Sequence, residues 1–171
     1  VFCGVYFMAE SACLLARPGQ KVFLPDHEAD CAMARMARAE DVERVLERLA
    51  ASGRKVVPLA YVNSSLAVKA VVGRFGGAVC TSSNAKVMLE CNLGRNTART
   101  LGIAAGEQAL LDLAGDNLDS EEVRRARLIL WPGCCPIHDR LMKPEMVDAF
   151  HSHFPGCRVL VHPECTPEVV D

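Results

Sequence analysis

The sequence carries almost no net charge. Lys plus Arg number 19 and Asp plus Glu number 21 in 171 residues, a formal charge of −2, and the pI is near 6.2. A nucleic-acid module would show a basic stripe, so no nucleic-acid partner is expected. Long hydrophobic runs are missing too. No window reaches the roughly 18 uninterrupted apolar residues of a membrane span, so no membrane partner is expected. Gly at 12 and Pro at 9 are too few for collagen-like or low-complexity chains. No basic segment precedes the first apolar run, which Glu10 interrupts, so a secretory signal is not expected. Half of the residues are hydrophobic, enough buried surface to offset the entropy of ordering, which excludes intrinsic disorder. The length allows one full domain, or one domain with pieces of its neighbours. The chain opens at Val1 inside an apolar run and stops at Asp171 soon after an expected strand, so a fragment is expected.

Cysteine is the exception to this sparseness. There are nine, an odd number that forbids complete internal pairing. Their positions (3, 13, 31, 80, 91, 134, 135, 157 and 165) form neither the dense framework of a small secreted domain nor any Cys-x-x-Cys pair. The expected compartment is a reducing cytoplasm, where clustered thiols bind metal or react more often than they form disulfides. Cys80, in a Val-rich run, reads as a small buried hydrophobe.

Short β-rich runs alternate with longer helical ones. Strands are expected at Val1–Tyr6, Lys21–Leu24, Lys55–Val62, Gly77–Cys80, Leu128–Trp131 and Arg158–His162, each bounded by Gly, Pro or polar residues. Glu40–Ala51 is the clearest helix, because Val42, Val45, Leu46, Leu49 and Ala50 fall on one stripe. Asp119-Ser120-Glu121-Glu122 and Lys143-Pro144-Glu145 read as helix starts. Val147, Phe150 and Phe154 share a face of the second of these helices. The alternation predicts an α/β fold with mostly parallel strands. In such sheets ligands bind beyond the carboxyl ends of strands.

Those exits are chemically loaded. Cys31 lies before a helix start, where the dipole favours a thiolate; it is a metal ligand or a buried structural cysteine. Asn63-Ser64-Ser65 and Thr81-Ser82-Ser83-Asn84 are helix-capping residues that can also bind anions. Tyr61 ends the strand before Asn63 and either meets substrate or packs. Pro132-Gly133-Cys134-Cys135-Pro136-Ile137-His138 offers thiols beside an imidazole, or a structural loop. Adjacent cysteines seldom share one metal, so one of Cys134 and Cys135 is expected to point inward. His162 and Glu164 flank Pro163, placed to move protons, to bind metal, or to form an ordinary polar loop.

Seven strings, taken in order along the chain, carry a family resemblance. They are Gly4-Val5-Tyr6-Phe7-Met8-Ala9-Glu10, Glu28-Ala29-Asp30-Cys31-Ala32-Met33-Ala34, Tyr61-Val62-Asn63-Ser64, Thr81-Ser82-Ser83-Asn84-Ala85, Leu93-Gly94-Arg95-Asn96-Thr97-Ala98, Trp131 to His138, and His162-Pro163-Glu164-Cys165. Together they resemble quinolinate synthase, the iron–sulfur enzyme family of NAD biosynthesis. The resemblance implies three similar three-layer α/β/α domains about a pseudo-threefold axis. Here it implies the end of a first domain at 1–38, a shortened second at 39–138 and the start of a third at 139–171. It implies a 4Fe–4S cluster with one open iron, and condensation of iminoaspartate with dihydroxyacetone phosphate to quinolinate. It also implies a functional link to an L-aspartate oxidase or aspartate dehydrogenase.

Carried over by motif, Cys31 and Cys135 resemble cluster ligands, and spacing to His138 favours Cys135 over Cys134. Tyr61, Asn63, Ser82 and Ser83 resemble substrate-binding residues. Tyr61, His138, His162 and Glu164 resemble catalytic residues, with His162 and Glu164 also near substrate. Three departures stand out. The family's N-terminal His-x-Tyr segment and its third cluster cysteine are not in the chain. A strand and part of a helix are missing between Ala85 and Leu93. With two of three ligands the chain alone is expected to hold a cluster poorly and to be inactive. The competing readings are a non-catalytic α/β remnant and a small thiol or zinc module built on Cys134, Cys135 and His138.

Overall fold

The computed structural model describes residues 4–81 and 91–171, and Ser82 and Ser83 lie outside them. It divides into two units, Val1–Cys80 and Thr81–Asp171. Each contains one strand–helix–strand crossover between parallel strands.

In the first unit helix α1 (Tyr6–Leu15) precedes a short 3-10 turn at Ala32–Arg35 and helix α2 (Ala39–Ala51). The predicted stripe of α2 holds: Val42, Val45, Leu46 and Leu49 are buried, whereas Ala50 is exposed. Strand β1 (Leu59–Tyr61) leads through helix α3 (Leu66–Arg74) to strand β2 (Ala78–Cys80). The register pairs Leu59 with Ala78 and Tyr61 with Cys80. Val68, Val71 and Val72 of α3 are buried, and α3 packs against α2, β1 and β2. Ser65 caps α3 by accepting from the Val68 N–H at 3.3 Å, a contact worth about 1 kcal/mol. Gly77 is required where it stands, because a Cβ there would collide with the Pro58 carbonyl oxygen and the Val72 side chain.

The first described element of the second unit is helix α4 (Cys91–Thr100). Strand β3 (Gln108–Leu110), helix α5 (Glu121–Arg125) and strand β4 (Leu128–Leu130) form its crossover, with Gln108 opposite Leu128. Ser120 caps α5 through the Val123 N–H at 3.2 Å, as its spacing predicts. Leu93, Ala98, Val123, Leu128, Leu130 and Trp131 are buried. Helices α6 (Pro144–His153) and α7 (Pro167–Val170) complete the unit, and α7 packs against both α4 and α6.

Several expected strands shrink or vanish. Val1–Tyr6 does not form one over its described part: Gly4 and Val5 lie outside regular structure, and Tyr6 opens α1, a run of Met, Ala, Glu and Leu that suits a helix. Lys21–Leu24 and Arg158–His162 find no strand partner among the described residues. Phe23 and Leu160 stand in solvent at 78% and 95% exposure, and Val22, Leu24 and Val159 are only partly covered. An apolar, β-prone run needs a neighbouring ladder to become a strand. Conversely β3, only Gln-Ala-Leu, shows no alternation to betray it and is a strand because β4 is there to receive it. No buried residue lies in α6, so the shared face of Val147, Phe150 and Phe154 is not a core face here.

Candidate functional site: two cysteine-bearing loop clusters

In the first unit Cys31 precedes the 3-10 turn, and its N–H donates to Asp30 Oδ1 at 2.8 Å. Asp30 also accepts from Arg35 Nε at 2.7 Å, which holds its carboxyl below the ordinary range. Asn63 follows β1 and donates from Nδ2 to Cys31 Sγ at 3.9 Å. The structure therefore brings together Cys31 and Asn63, two predicted site residues 32 positions apart. Tyr61 is buried at the end of β1, and Ser64 Oγ donates to its carbonyl at 2.7 Å. The α3 N-terminus already has its acceptors: Ser65, and Glu10 Oε2, which accepts from the Leu66 N–H at 3.1 Å. At Ser65 the capping reading holds.

In the second unit β4 runs into Trp131, then turns at Gly133, whose φ of 127° favours glycine. A single π turn at Ile137–Leu141 follows, and its Asp139 N–H donates to the Cys135 carbonyl at 2.9 Å. This turn carries His138 toward the loop before α7. His138 Nδ1 lies 2.9 Å from Glu164 Oε2. The rings of His138 and His162 stack with centroids 4.5 Å apart. His162 Nδ1 accepts from the Glu164 N–H at 3.3 Å, which leaves the proton of a neutral His162 on Nε2.

Cys135, His138 and Glu164 each offer a donor atom, and these atoms lie within 4.8 Å of one another. Glu164 is 2% exposed, and its Oε1 is buried with no hydrogen-bond partner. A buried carboxylate oxygen left unpaired is costly unless a cation or proton donor completes it. Thiolate, imidazole and carboxylate together form a borderline-to-soft donor set that suits zinc or iron. Cys165 is adjacent and buried: burial pushes its thiol up, the backbone hydrogen bond with His162 pulls it partly back, and the charges of Glu164 and Cys135 push it up.

Helix α4 ties the two loops of this site together. Its buried Asn92 donates from Nδ2 to Asp139 Oδ1 at 2.9 Å. Its buried Asn96 donates from the same side-chain nitrogen to the carbonyls of Pro163 and Cys165, both at 2.9 Å. Reading the sequence by residue chemistry missed both, because asparagine in a helix carries no ligand signature. The one signal available was their place in and beside the Leu93-to-Ala98 string.

The cysteine expectation needs correcting. Cys91 and Cys134 are joined in a disulfide across 43 positions, with Cα atoms 5.7 Å apart. Adjacent thiols can point apart, so Cys134 turns to α4 while Cys135 turns to His138 and Glu164. The donor atoms that converge are therefore those of Cys135, His138 and Glu164, not the expected grouping of Cys134, Cys135 and His138.

A family model described as quinolinate synthetase A protein matches residues 1–171. The chain belongs to the quinolinate synthetase A family. Curated relatives named quinolinate synthase agree. One from a Nocardioides strain is 45% identical, with 99% of this chain matching 49% of that protein. One from Acidobacterium capsulatum is 45% identical and one from Bacillus pumilus 42%, each covering 99% of this chain and 50% of the relative. The chain therefore spans about half the length of the quinolinate synthases it matches. The Nocardioides alignment runs over 195 positions against 171 residues, so at least 24 of its positions have no residue in this chain. Among the described residues no helix is long and apolar enough to cross a membrane.

The buried thiols make stability pH-dependent. Burial pushes both Cys80 and Cys165 up. The folded chain then holds protons that the unfolded chain releases above the ordinary cysteine value of about 8.5. That contribution is complete below about 8.5 and is lost as pH rises through the raised values. The urea midpoint is expected to fall between about pH 8.5 and pH 10. Cys80→Ala is expected to flatten that fall, and an equally steep fall in the variant would remove Cys80 as a cause.

Proposed function

We propose that this chain carries part of a quinolinate synthase active site, which condenses iminoaspartate with dihydroxyacetone phosphate. Quinolinate forms with loss of one phosphate and two waters. The observation that carries the reading is the convergence of Cys135, His138 and Glu164, with an unpaired buried Glu164 oxygen, on loops that match the family's strings. Cys31 and Cys135 are the proposed thiolates for a 4Fe–4S cluster. When bound, the cluster's open iron supplies Lewis-acid polarisation of a substrate oxygen.

The chain's own residues supply the rest. The His138–Glu164 contact is placed to relay a proton to substrate, and the stacked His162 supports the His138 ring. Tyr61 and Asn63 offer hydrogen bonds to substrate oxygens. Ser82 and Ser83 are assigned to a carboxylate or phosphate on sequence alone. The proposed larger architecture is the pseudo-threefold assembly of α/β/α domains, with boundaries near residues 38 and 138. The proposed setting is the cytoplasm, supplied with the unstable imine by an aspartate-oxidising enzyme such as L-aspartate oxidase or aspartate dehydrogenase.

A chimera tests this: the matching half of the Nocardioides relative is replaced by this chain and reconstituted anaerobically with iron and sulfide. The expected result is 4Fe–4S absorbance and quinolinate formation in the chimera, and no turnover by this chain alone. A folded chimera that takes up no iron would support the non-catalytic remnant instead.

A further inference from the structure

We infer that Cys91 and Cys134 form a reversible disulfide whose redox state decides which of two adjacent thiols, Cys134 or Cys135, the loop presents to a metal. The inference deepens the proposed function, because it takes Cys135, His138 and Glu164 as the metal-facing set.

Three observations carry it. First, the bond removes Cys134 from competition. With it closed, Cys135 is the loop thiol that meets His138 and Glu164. With it open, Cys134 becomes a second soft thiol in the position next to Cys135. Second, the bond is built for exchange. Cys134 is only half-buried and open to an attacking thiolate, whereas Cys91 is buried. Third, opening the bond does not release the loop. The Cys91 N–H also donates to the Gly133 carbonyl at 3.2 Å, and Asn92 Nδ2 donates to Asp139 Oδ1 at 2.9 Å, ties that do not depend on the bond. The loop is thus expected to stay beside α4 while Cys134, no longer tethered, becomes free to turn toward the partners of Cys135. In a reducing compartment disulfides of this kind are transient and sensing rather than structural.

The chemistry balances with a dithiol. One dithiol thiolate attacks Cys134 Sγ, the Cys91–Cys134 bond breaks, and its electron pair leaves on Cys91 Sγ, which takes a proton. The second thiol of the reductant attacks its own sulfur in the mixed disulfide and releases Cys134. The dithiol is oxidised to a cyclic disulfide, and the protein gains two electrons and two protons. A low-molecular-weight disulfide reverses both steps.

The test uses the whole 171-residue chain, equilibrated in graded ratios of reduced and oxidised dithiothreitol. Thiols are then alkylated with N-ethylmaleimide and mapped by mass spectrometry. Cys91 and Cys134 are expected to gain label together and to lose it together on reoxidation. Independent labelling, or a Cys134–Cys135 pairing, overturns the inference. The same mapping with Zn2+ alone tests the choice of thiol. In the oxidised chain zinc is expected to protect Cys135. On reduction, Cys134 is expected to take a share of that protection, and Cys135 labelling to rise severalfold. Cys91→Ser should behave as the reduced chain in both states, and Cys134→Ser should protect Cys135 in both. Unchanged Cys135 protection on reduction overturns the choice of thiol. Zinc that fails to protect Cys135 even in the oxidised chain defeats the metal reading, while the dithiothreitol titration still decides the pairing.

Discussion

Asn96→Ala is expected to destabilise the chain by about 1–3 kcal/mol, since the part-buried Pro163 carbonyl and the buried Cys165 carbonyl lose their shared donor, partly offset by removal of the buried and unpartnered Asn96 Oδ1. The same change should loosen the loop that carries His162 and Glu164, because α4 holds that loop through Asn96. Two measurements separate these effects. Urea unfolding reads the stability loss. Hydrogen exchange at Glu164 and Cys165, compared with exchange across β3 and β4, reads the local loosening. A loss below about 0.5 kcal/mol would place Asn96 among ordinary surface-tolerant positions and refute its positioning role. Asn96→Asp offers a control of the same shape. It removes the donor and sets a charge against two carbonyl oxygens, so it should be no better tolerated than alanine.

Cys135→Ser is expected to abolish metal retention at the second-unit site. Loss of a partner that merely orients a ligand costs about 10–100-fold in affinity, and loss of the thiolate itself should exceed that. The measurement is Zn2+ affinity of the chain, followed by iron content of the reconstituted chimera. Glu164→Gln keeps the shape and removes the charge, so it should weaken the metal without unfolding the loop. Cys165→Ser serves as the contrast: Cys165 is not among the converging donor atoms, so metal affinity should stay near that of the parent. If Cys135→Ser and Cys165→Ser bind metal alike, the assignment of Cys135 fails.

Much of the local structure was legible from spacing. The α2 stripe, the Ser120 cap, the Pro144 helix start and the cores of β1, β2 and β4 all follow from period and capping chemistry, which are nearest-neighbour properties. The pairing of the strands was less so. Arg158–His162 has the composition of a strand but no ladder among the described residues, whereas Gln108–Leu110 lacks the composition and has one. Composition sets what a segment tolerates, and a partner decides what it becomes.

The same division runs through the cysteines. By itself the sequence placed Cys31, Asn63, Cys135, His138 and Glu164 at strand exits and loop ends, with donors of the right softness for a metal. Only the tertiary structure decided that Asn63 touches Cys31, that Glu164 crosses 26 positions to reach His138, and that α4 binds both loops of the second site. It also sorted two thiols that adjoin in the chain. Cys134 pairs with Cys91, 43 residues away, and Cys135 turns to the metal-capable group. Residue type and spacing carry chemistry and local period. They do not carry the direction in which a folded loop points each side chain, because packing against distant elements sets it.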